Sequence, residues 1–453
     1  MNNQVLELKH TIRVLPDGGI VLVLNTGAVI GPEAEAMLQA LHSRSIGGIS
    51  QHLKTLAEKG PEKFMSQFYV GYGHKSIGDC GTGTIFIEGV SMLVAKAVQD
   101  WQLYSGQECS TRFLDFSVQK FIDPIGTAGS ADVLESWRSF YLKGLGVLIP
   151  HLENRFPRSE NEKNAVYDKA IKARAFDIMR GFLPAGASTK LSWHSNLRQM
   201  ADELMILRHH PLNEVKAVAN ALESVVLEAY PSSFSVKRHA ETEIYNAKCV
   251  WDLNYLTADE WPDFQVAWDK IDRKLLSGYR AYLMGRPSKT ELPKKIAECG
   301  LMQILCMLDF GSFRDIERHR AVIQQMPLLT TKFGFHPWYL SELPDKFVLE
   351  AAEFLKEQEQ KIKRLKCNPA TAQYYIAMGY NCPNRLTGGI HALVYLAELR
   401  STRFVHPTLR MRALQIAGEL NKRFKRYGLV LHLDKDPDRF DVKRGEQDII
   451  VKD

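Results

Sequence analysis

The chain of 453 residues lacks most of the features that would assign it at a glance. It has no apolar run of the roughly 20 residues needed to cross a bilayer. Its first residues, MNNQVLELKHTIRVL, show no basic stretch leading into an apolar one. These two absences lead us to expect a cytoplasmic protein with no membrane partner. The seven cysteines (Cys80, Cys109, Cys249, Cys299, Cys306, Cys367 and Cys382) include no CxxC pair, and none stands at zinc-finger spacing from histidine. An odd number of thiols suits a reducing compartment better than a disulfide framework, and no metal centre is expected. The net charge is only +6, so the balance does not demand nucleic acid as a partner.

What is present is the composition of a globular protein, 45% hydrophobic and 24% charged. The length suggests two or more domains. Arginines gather in a few places, which suits phosphorylated ligands as well as it suits a scattered basic surface.

Along the chain, the apolar runs 11–15 and 20–24 flank Pro16-Asp17-Gly18-Gly19, a turn signal that predicts a hairpin. Helical spacing follows, with Met37, Leu38 and Leu41 on one face and Ile49, Leu53 and Leu56 on the next. Residues 84–88 read as a short strand ended by Gly89, after which Ser91 can cap an apolar helix over 92–98. Residues 123–135, with Pro124, Gly126 and Gly129, read as a connection. Long helices are expected over 136–149, 162–181, 195–209 and 212–228. The break Tyr230-Pro231-Ser232-Ser233 puts a domain boundary at about residue 240, giving domains 1–240 and 241–453. The second half is expected to restart with a helix carrying Phe264, Trp268, Ile271, Leu275 and Tyr279. A strand-like run over 301–308 follows, then helices over 346–365, 388–399 and 408–426. Residues 429–433 and 448–451 could form terminal strands or remain loose. Glu203-Leu204-Met205-Ile206-Leu207-Arg208 is echoed by Tyr395-Leu396-Ala397-Glu398-Leu399-Arg400 in the same relative order, which points to an internal repeat.

Three stretches could carry chemistry. The polar run Ser105-x-Gln107-Glu108-x-Ser110-x-Arg112-Phe113 follows a buried helix, where loops hold functional groups. Its guanidinium and hydroxyl suit an anion, and its carboxylate suits a ribose hydroxyl or base N–H. Arg318-His319-Arg320 is a compact cationic patch, preceded by Arg314, Asp315 and Glu317. It suits a dianion or an electron-rich ring. The third is Gly73-His74-Lys75-Ser76-Ile77-Gly78-Asp79. Taken alone, each of the three also reads as solvated loop with surface ion pairs.

Laid over each other, the first two stretches complete one pattern. Together they resemble the R-H-R-x-x-S-x-N-E-x-S-x-R-Y signature of the flavin-dependent thymidylate synthases. Gln107, Glu108, Ser110, Arg112 and Phe113 match its second part, with Gln for Asn and Phe for Tyr. Arg318, His319 and Arg320 match its first part. The complementary positions are altered: Asp100-Trp101-Gln102 stands where R-H-R belongs in the first half. In the second half Ile323 replaces the serine and Thr330 the arginine. The third stretch resembles the family's G-H-x-[ST]-x-x-E, with Asp79 for Glu; Glu298 answers it in the second half.

The resemblance implies an α+β fold in two tandem copies, each an antiparallel sheet with long helices. It implies reductive methylation of dUMP at C5 to dTMP, with methylenetetrahydrofolate as carbon donor, FAD as cofactor and NADPH as reductant. Gln107, Glu108, Ser110 and Arg112 would hold the nucleotide, and either Arg208 or Arg400 would complete its site, with His74 on the folate side. FAD would be held by Ser76, Asp79, Asn196, Arg198, Arg318, His319 and Arg320. In the second half Gly389 and His391 stand where Asn196 and Arg198 do in the first. Family members are homotetramers whose sites draw on several chains. A homodimer of the fused chain would mimic one, the first half supplying S-x-Q-E-x-S-x-R and the second R-H-R. Other readings of the same residues are a related flavin and folate enzyme acting on another pyrimidine nucleotide, and a non-catalytic flavin- or nucleotide-binding paralogue.

Overall fold

The computed structural model describes residues 10–24, 31–44, 49–71, 75–160, 162–234 and 238–434. These form two compact units that interleave along the chain. The first is built from described residues within 1–110, 120–122 and 187–254; the second from those within 111–119, 123–186 and 255–453. The last crossing therefore falls between Asn254 and Tyr255, and the helix Ala240–Leu253 lies in the first unit.

The first unit is organised on five antiparallel strands: β1 (His10–Val14), β2 (Ile20–Leu24), β3 (Thr82–Ser91), β4 (Ser105–Glu108) and β5 (Ser188–Asn196). Their order across the sheet is β1-β2-β3-β5-β4. The hairpin forms as its turn signal predicts, with the Leu15 N–H donating to the Gly19 carbonyl at 2.7 Å and Gly18 at φ 82°. The helix Asn213–Ala229 packs on β1 and β2, buries Val215, Val218, Leu222 and Val225, and accepts the Arg13 Nε–H on Ser224 Oγ at 3.1 Å. Apolar positions at helical spacing thus cover the sheet face that holds Val21, Val23, Ile85 and Ile87.

The second unit holds a three-stranded antiparallel sheet in the order β6-β7-β8: β6 (Phe264–Asp269), β7 (Met302–Asp309) and β8 (Asn381–Gly388). The helix Pro407–Phe424 packs on β7 and against the helix Ile390–Arg400. The long helices Ala128–Arg155 and Asn164–Met179 belong to this unit. Phe140 stacks on Phe354 at 4.2 Å and on Phe347 at 5.1 Å, both from the helix Asp345–Arg364, and buried Trp137 donates its Nε1–H to the Tyr375 carbonyl. Aromatic stacking of this kind adds to the area term.

The two sheets repeat one sequence of elements. A 3₁₀ turn (Lys75–Cys80, then Lys294–Cys299) leads into β3 or β7, each ending in a residue whose side chain caps the next helix. Ser91 Oγ accepts from the Val94 N–H and Asp309 Oδ2 from the Ser312 N–H. The pairing partner, β5 or β8, then runs into the helix Leu197–Leu207 or Ile390–Arg400.

Several sequence expectations are corrected. Gly89 does not end its strand: it sits at φ 70° within β3, where the register shifts between Glu88 and Val90, and an added Cβ would meet Gly19 Cα at 2.8 Å. Residues 128–135 are helix, because Thr127 and Ser130 form a capping box after Gly126 turns the chain at φ 67°. Residues 264–269 form β6, since the i, i+4 spacing of Phe264 and Trp268 also satisfies alternation. The helix expected over 195–209 begins at Leu197, with Ser195 and Asn196 in β5. Both β5 and β8 were hidden. Polar residues dominate β5, and β8 carries Pro383, which it tolerates as an edge of its sheet. Of the two alternatives left open for residues 429–433, the structure takes the one without a strand, and 448–451 lie outside the described residues.

Two outcomes follow. Ser91 Oγ also donates to Glu214 Oε2 at 2.6 Å, and its N–H donates to Oε1 at 2.9 Å. Ser91→Ala should therefore cost about 1–2 kcal/mol as a lost cap alone, read as a lower urea midpoint. His210 is buried, its Nδ1 accepts the Leu212 N–H at 3.1 Å, and burial chiefly, then the Lys216 charge, pushes its pKa down to about 3. The folded protein thus favours the neutral ring. The stability this contributes is full above the unfolded-state value near 6.5 and is lost as pH falls towards 3. Replacement of His210 by Gln should flatten the fall of the melting temperature between pH 7 and pH 5.

Candidate functional site

In the second unit the end of β7 and the helix Phe310–Ile316 gather polar groups that an apolar neighbourhood would otherwise exclude. Asp309 is fully buried; its Oδ2 accepts from the Tyr339 hydroxyl at 2.7 Å and from the Ser312 N–H at 2.9 Å. Arg180, which follows the helix Asn164–Met179, reaches the same place: its Nη2 donates to Ser312 Oγ at 3.3 Å, and its Nη1 lies 3.6 Å from Asp315 Oδ2. Burial lowers the Arg180 pKa, but Tyr339, Asp315, Asp309 and Asp177 outweigh it and hold the guanidinium charged. For Asp315, burial raises the pKa, and four guanidinium groups (Arg180, Arg400, Arg318 and Arg314) bring it below the ordinary carboxylate range. One carboxylate thus faces four arginines. Arg318 and Arg320 are exposed.

His319 sets the character of this cluster. Its Nε2 accepts the Arg400 Nε–H at 2.7 Å, and Arg400 Nη2 donates to the Asp315 carbonyl at 2.5 Å. A guanidinium can only donate, so the histidine proton sits on Nδ1. Burial first, and then the charge of Arg400, push the His319 pKa down to about 3, so the ring is neutral at physiological pH. Its Nδ1 is buried and has no hydrogen-bond partner in the structure. The result is a neutral N–H donor beside several fixed positive charges, an arrangement suited to an electron-rich or anionic acceptor.

The first unit brings together four of the residues assigned to FAD by resemblance. The turn Lys75–Cys80, carrying Ser76 and Asp79, packs against the helix Leu197–Leu207. Asp79 Oδ1 accepts the Arg198 Nε–H at 2.7 Å, and Asn196 Oδ1 caps that helix through the Gln199 N–H at 2.8 Å. Lys75 and Arg198 both flank Asp202, at 3.7 and 3.6 Å. His74 lies outside the described residues.

The polar run divides. Gln107 is exposed on β4, whereas the Glu108 side chain is fully buried, paired with Lys96 Nζ at 3.0 Å and accepting from Gln99 Nε2 at 3.2 Å. Ser110 is the last residue of that stretch in the first unit; Arg112 and Phe113 sit on a short turn in the second unit, which also contains Arg318, His319 and Arg320. Phe113 is 64% exposed, and Arg112 makes no ion pair among the described residues.

Arg208 and Arg400 differ in surroundings. Arg208 is taken up by Glu243, to which its Nε donates at 2.9 Å and its Nη2 also donates, with Glu223 at 3.5 Å. Arg400 faces the neutral His319 in the cationic cluster. Counted from the helix caps, the two also differ by one position: Arg208 follows the helix capped by Asn196, and Arg400 is the last residue of the helix capped by Gly389.

Sequence reasoning missed Arg180, Tyr339 and Lys96. A lone lysine inside the apolar stretch Met92–Gln99 was a signal that a carboxylate must face it. Arg180 and Tyr339 carried none, because only folding brings helix ends so far apart in sequence to β7.

Among the described residues no helix is long and apolar enough to cross a membrane, and no group of three or more His, Cys, Asp or Glu could hold a metal ion. All seven cysteines are free thiols. Comparison with known proteins finds the UPF0159 protein of Chlamydia muridarum, 24% identical over 93% of this chain and 90% of its own length. A UPF0159 protein of Chlamydia pneumoniae is likewise 24% identical with the same coverage. One from Thermoplasma acidophilum is 22% identical over 80% of this chain and 87% of its own. The family model described as thymidylate synthase complementing protein matches residues 31–232, a stretch that holds β3, β4 and β5 and the two long helices between them. Over residues 31–232, a little under half of its length, the chain is thus similar to the thymidylate synthase complementing proteins.

Proposed function

We propose that the protein is an FAD-dependent thymidylate synthase-like enzyme, working as a homodimer, that methylates C5 of dUMP with methylenetetrahydrofolate and NADPH. The observation that carries this reading is the gathering of Arg180, Arg314, Arg318 and Arg400 around Asp315, with neutral His319 among them. A partly buried donor set of this kind binds a nucleotide phosphate or an electron-rich ring. The family match supplies the chemistry that such ligands imply.

The residues fit FAD. The unpartnered Nδ1–H of His319 is a donor that an acceptor atom of the flavin would satisfy, and Arg318 and Arg320 would offset negative charge on the ring. Ser76, Asp79, Asn196 and Arg198 form a second polar group suited to the cofactor. FAD, when bound, supplies the hydride that NADPH replenishes, and the protein needs no nucleophilic cysteine. The protein's part is to hold charge and position. Within the second unit Arg112 and Arg400 would fix the nucleotide, and His319 would remain neutral so that it donates without carrying charge of its own.

The reading is tested by colour. Purified protein given FAD should show flavin absorbance that NADPH bleaches, and dUMP with methylenetetrahydrofolate should restore it with formation of dTMP. Protein that fails to take up flavin in a titration would sink the proposal.

The two arginines give a second test. Arg400→Ala should weaken dUMP binding roughly ten- to a hundredfold, the loss of a charge-assisted contact of about 1.5–3 kcal/mol. Arg112→Ala should act in the same direction. Arg208→Ala should instead lower stability, because Glu243 loses its partner, while dUMP affinity changes little. Isothermal titration and thermal melts of the three variants separate these outcomes.

A further inference from the structure

Behind the cationic cluster runs a chain of hydrogen bonds whose direction can be read from its far end. His406 is buried, with Trp338 edge-on at 4.7 Å and Tyr339 tilted at 5.5 Å. Its Nε2 lies 3.2 Å from the carbonyl oxygen of Asp177. A carbonyl only accepts, so Nε2 carries the proton, and in the neutral ring Nδ1 must accept. The partner of Nδ1 is Thr408 Oγ1 at 2.8 Å, whose proton is thereby committed to the ring. Thr408 Oγ1 in turn lies 2.6 Å from Ser312 Oγ, so the serine must donate to the threonine. Ser312 Oγ has then spent its only proton and presents lone pairs to the Nη2–H of Arg180 at 3.3 Å. Ser312 and Thr408 are nearly inaccessible to bulk solvent, at 0% and 1% exposure.

Local sequence builds this relay. His406 precedes Pro407, which keeps it extended at ψ 133°, and Pro407 opens the helix that ends in Phe424. Thr408 therefore stands in the first turn, two residues from the ring and pointing at Ser312.

We propose that His406, Thr408 and Ser312 are positioning residues that set the angle of Arg180 within the cationic cluster, by fixing which oxygen lone pairs the guanidinium meets. This rests on the reading of the cluster as a nucleotide pocket. If Thr408 lost its hydroxyl, Ser312 would be free to turn its own proton towards Arg180, and donor would face donor. The arginine would keep its ion pairing with Asp315 but lose the contact that sets its angle.

The experiment compares Thr408→Val with Thr408→Ser, using dUMP titration, thermal melts and the imidazole nitrogen signals of ¹⁵N-histidine-labelled protein, with His406 assigned by its loss in His406→Gln. The wild-type ring should show the Nε2–H tautomer. Thr408→Val should weaken dUMP binding about fivefold, the loss of one neutral hydrogen bond, and Thr408→Ser should restore most of it. A ring protonated on Nδ1, or equal dUMP affinity in Thr408→Val and wild type, would overturn the relay. So would equal weakening in both variants that tracks the melting temperature. Wild-type protein that binds no dUMP would count against the nucleotide pocket itself, while the ring signals, which need no nucleotide, would still decide the relay.

Discussion

Positive charge is costly to concentrate, and the second unit concentrates it. Four guanidinium groups share Asp315, and three of them come from the helix Phe310–Ile316 and its flanks or from the end of the helix Ile390–Arg400. Such a set persists only if its geometry is imposed from outside. The structure imposes it with fixed partners: buried Asp309 is tied to Tyr339 and Ser312, and Arg400 leans on an uncharged histidine. The cap on a helix, the tautomer of a ring and the aim of an arginine are thus parts of one solution to electrostatic repulsion.

The same positions in the first unit are solved differently. Where the second copy carries Arg318-His319-Arg320, the first has Asp100-Trp101-Gln102, and the helix before it holds Lys96 in a closed pair with Glu108. Trp101 lies edge-on to the buried Trp193 at 6.2 Å. Here charge is cancelled inside the unit and aromatic surface takes the place of arginine. The first copy keeps a polar cluster at Asp79 and Arg198, at the other end of β3.

Much of this was legible in the sequence where one local pattern dictated one structure. The Asp17-Gly18 hairpin, the Ser91 cap and the amphipathic helix Asn213–Ala229 depend on residues a few positions apart, and each was readable. The strands β5 and β8 were not, because polar residues dominate β5 and β8 carries Pro383, which only its place at the sheet edge allows. The site divides in the same way. Arg318, His319 and Arg400 announced themselves by pattern, whereas Arg180 and Tyr339 join them only through contacts of long sequence separation. Glu108 was read as a ligand residue from its motif alone, and its buried pairing with Lys96 could be seen only from both partners at once.

The interleaving of the two compact units has a consequence for how the chain comes into being. The helices Ala128–Arg155 and Asn164–Met179 emerge from a ribosome well before Phe347 and Phe354, on which Phe140 stacks. Their aromatic face must wait uncovered while β5, β6 and β7 are made. Nor does β4 gain its partner until β5 follows those helices. No single peptide bond divides the chain so that each piece keeps one whole unit. A gene split at the midpoint of the chain would therefore leave both units incomplete.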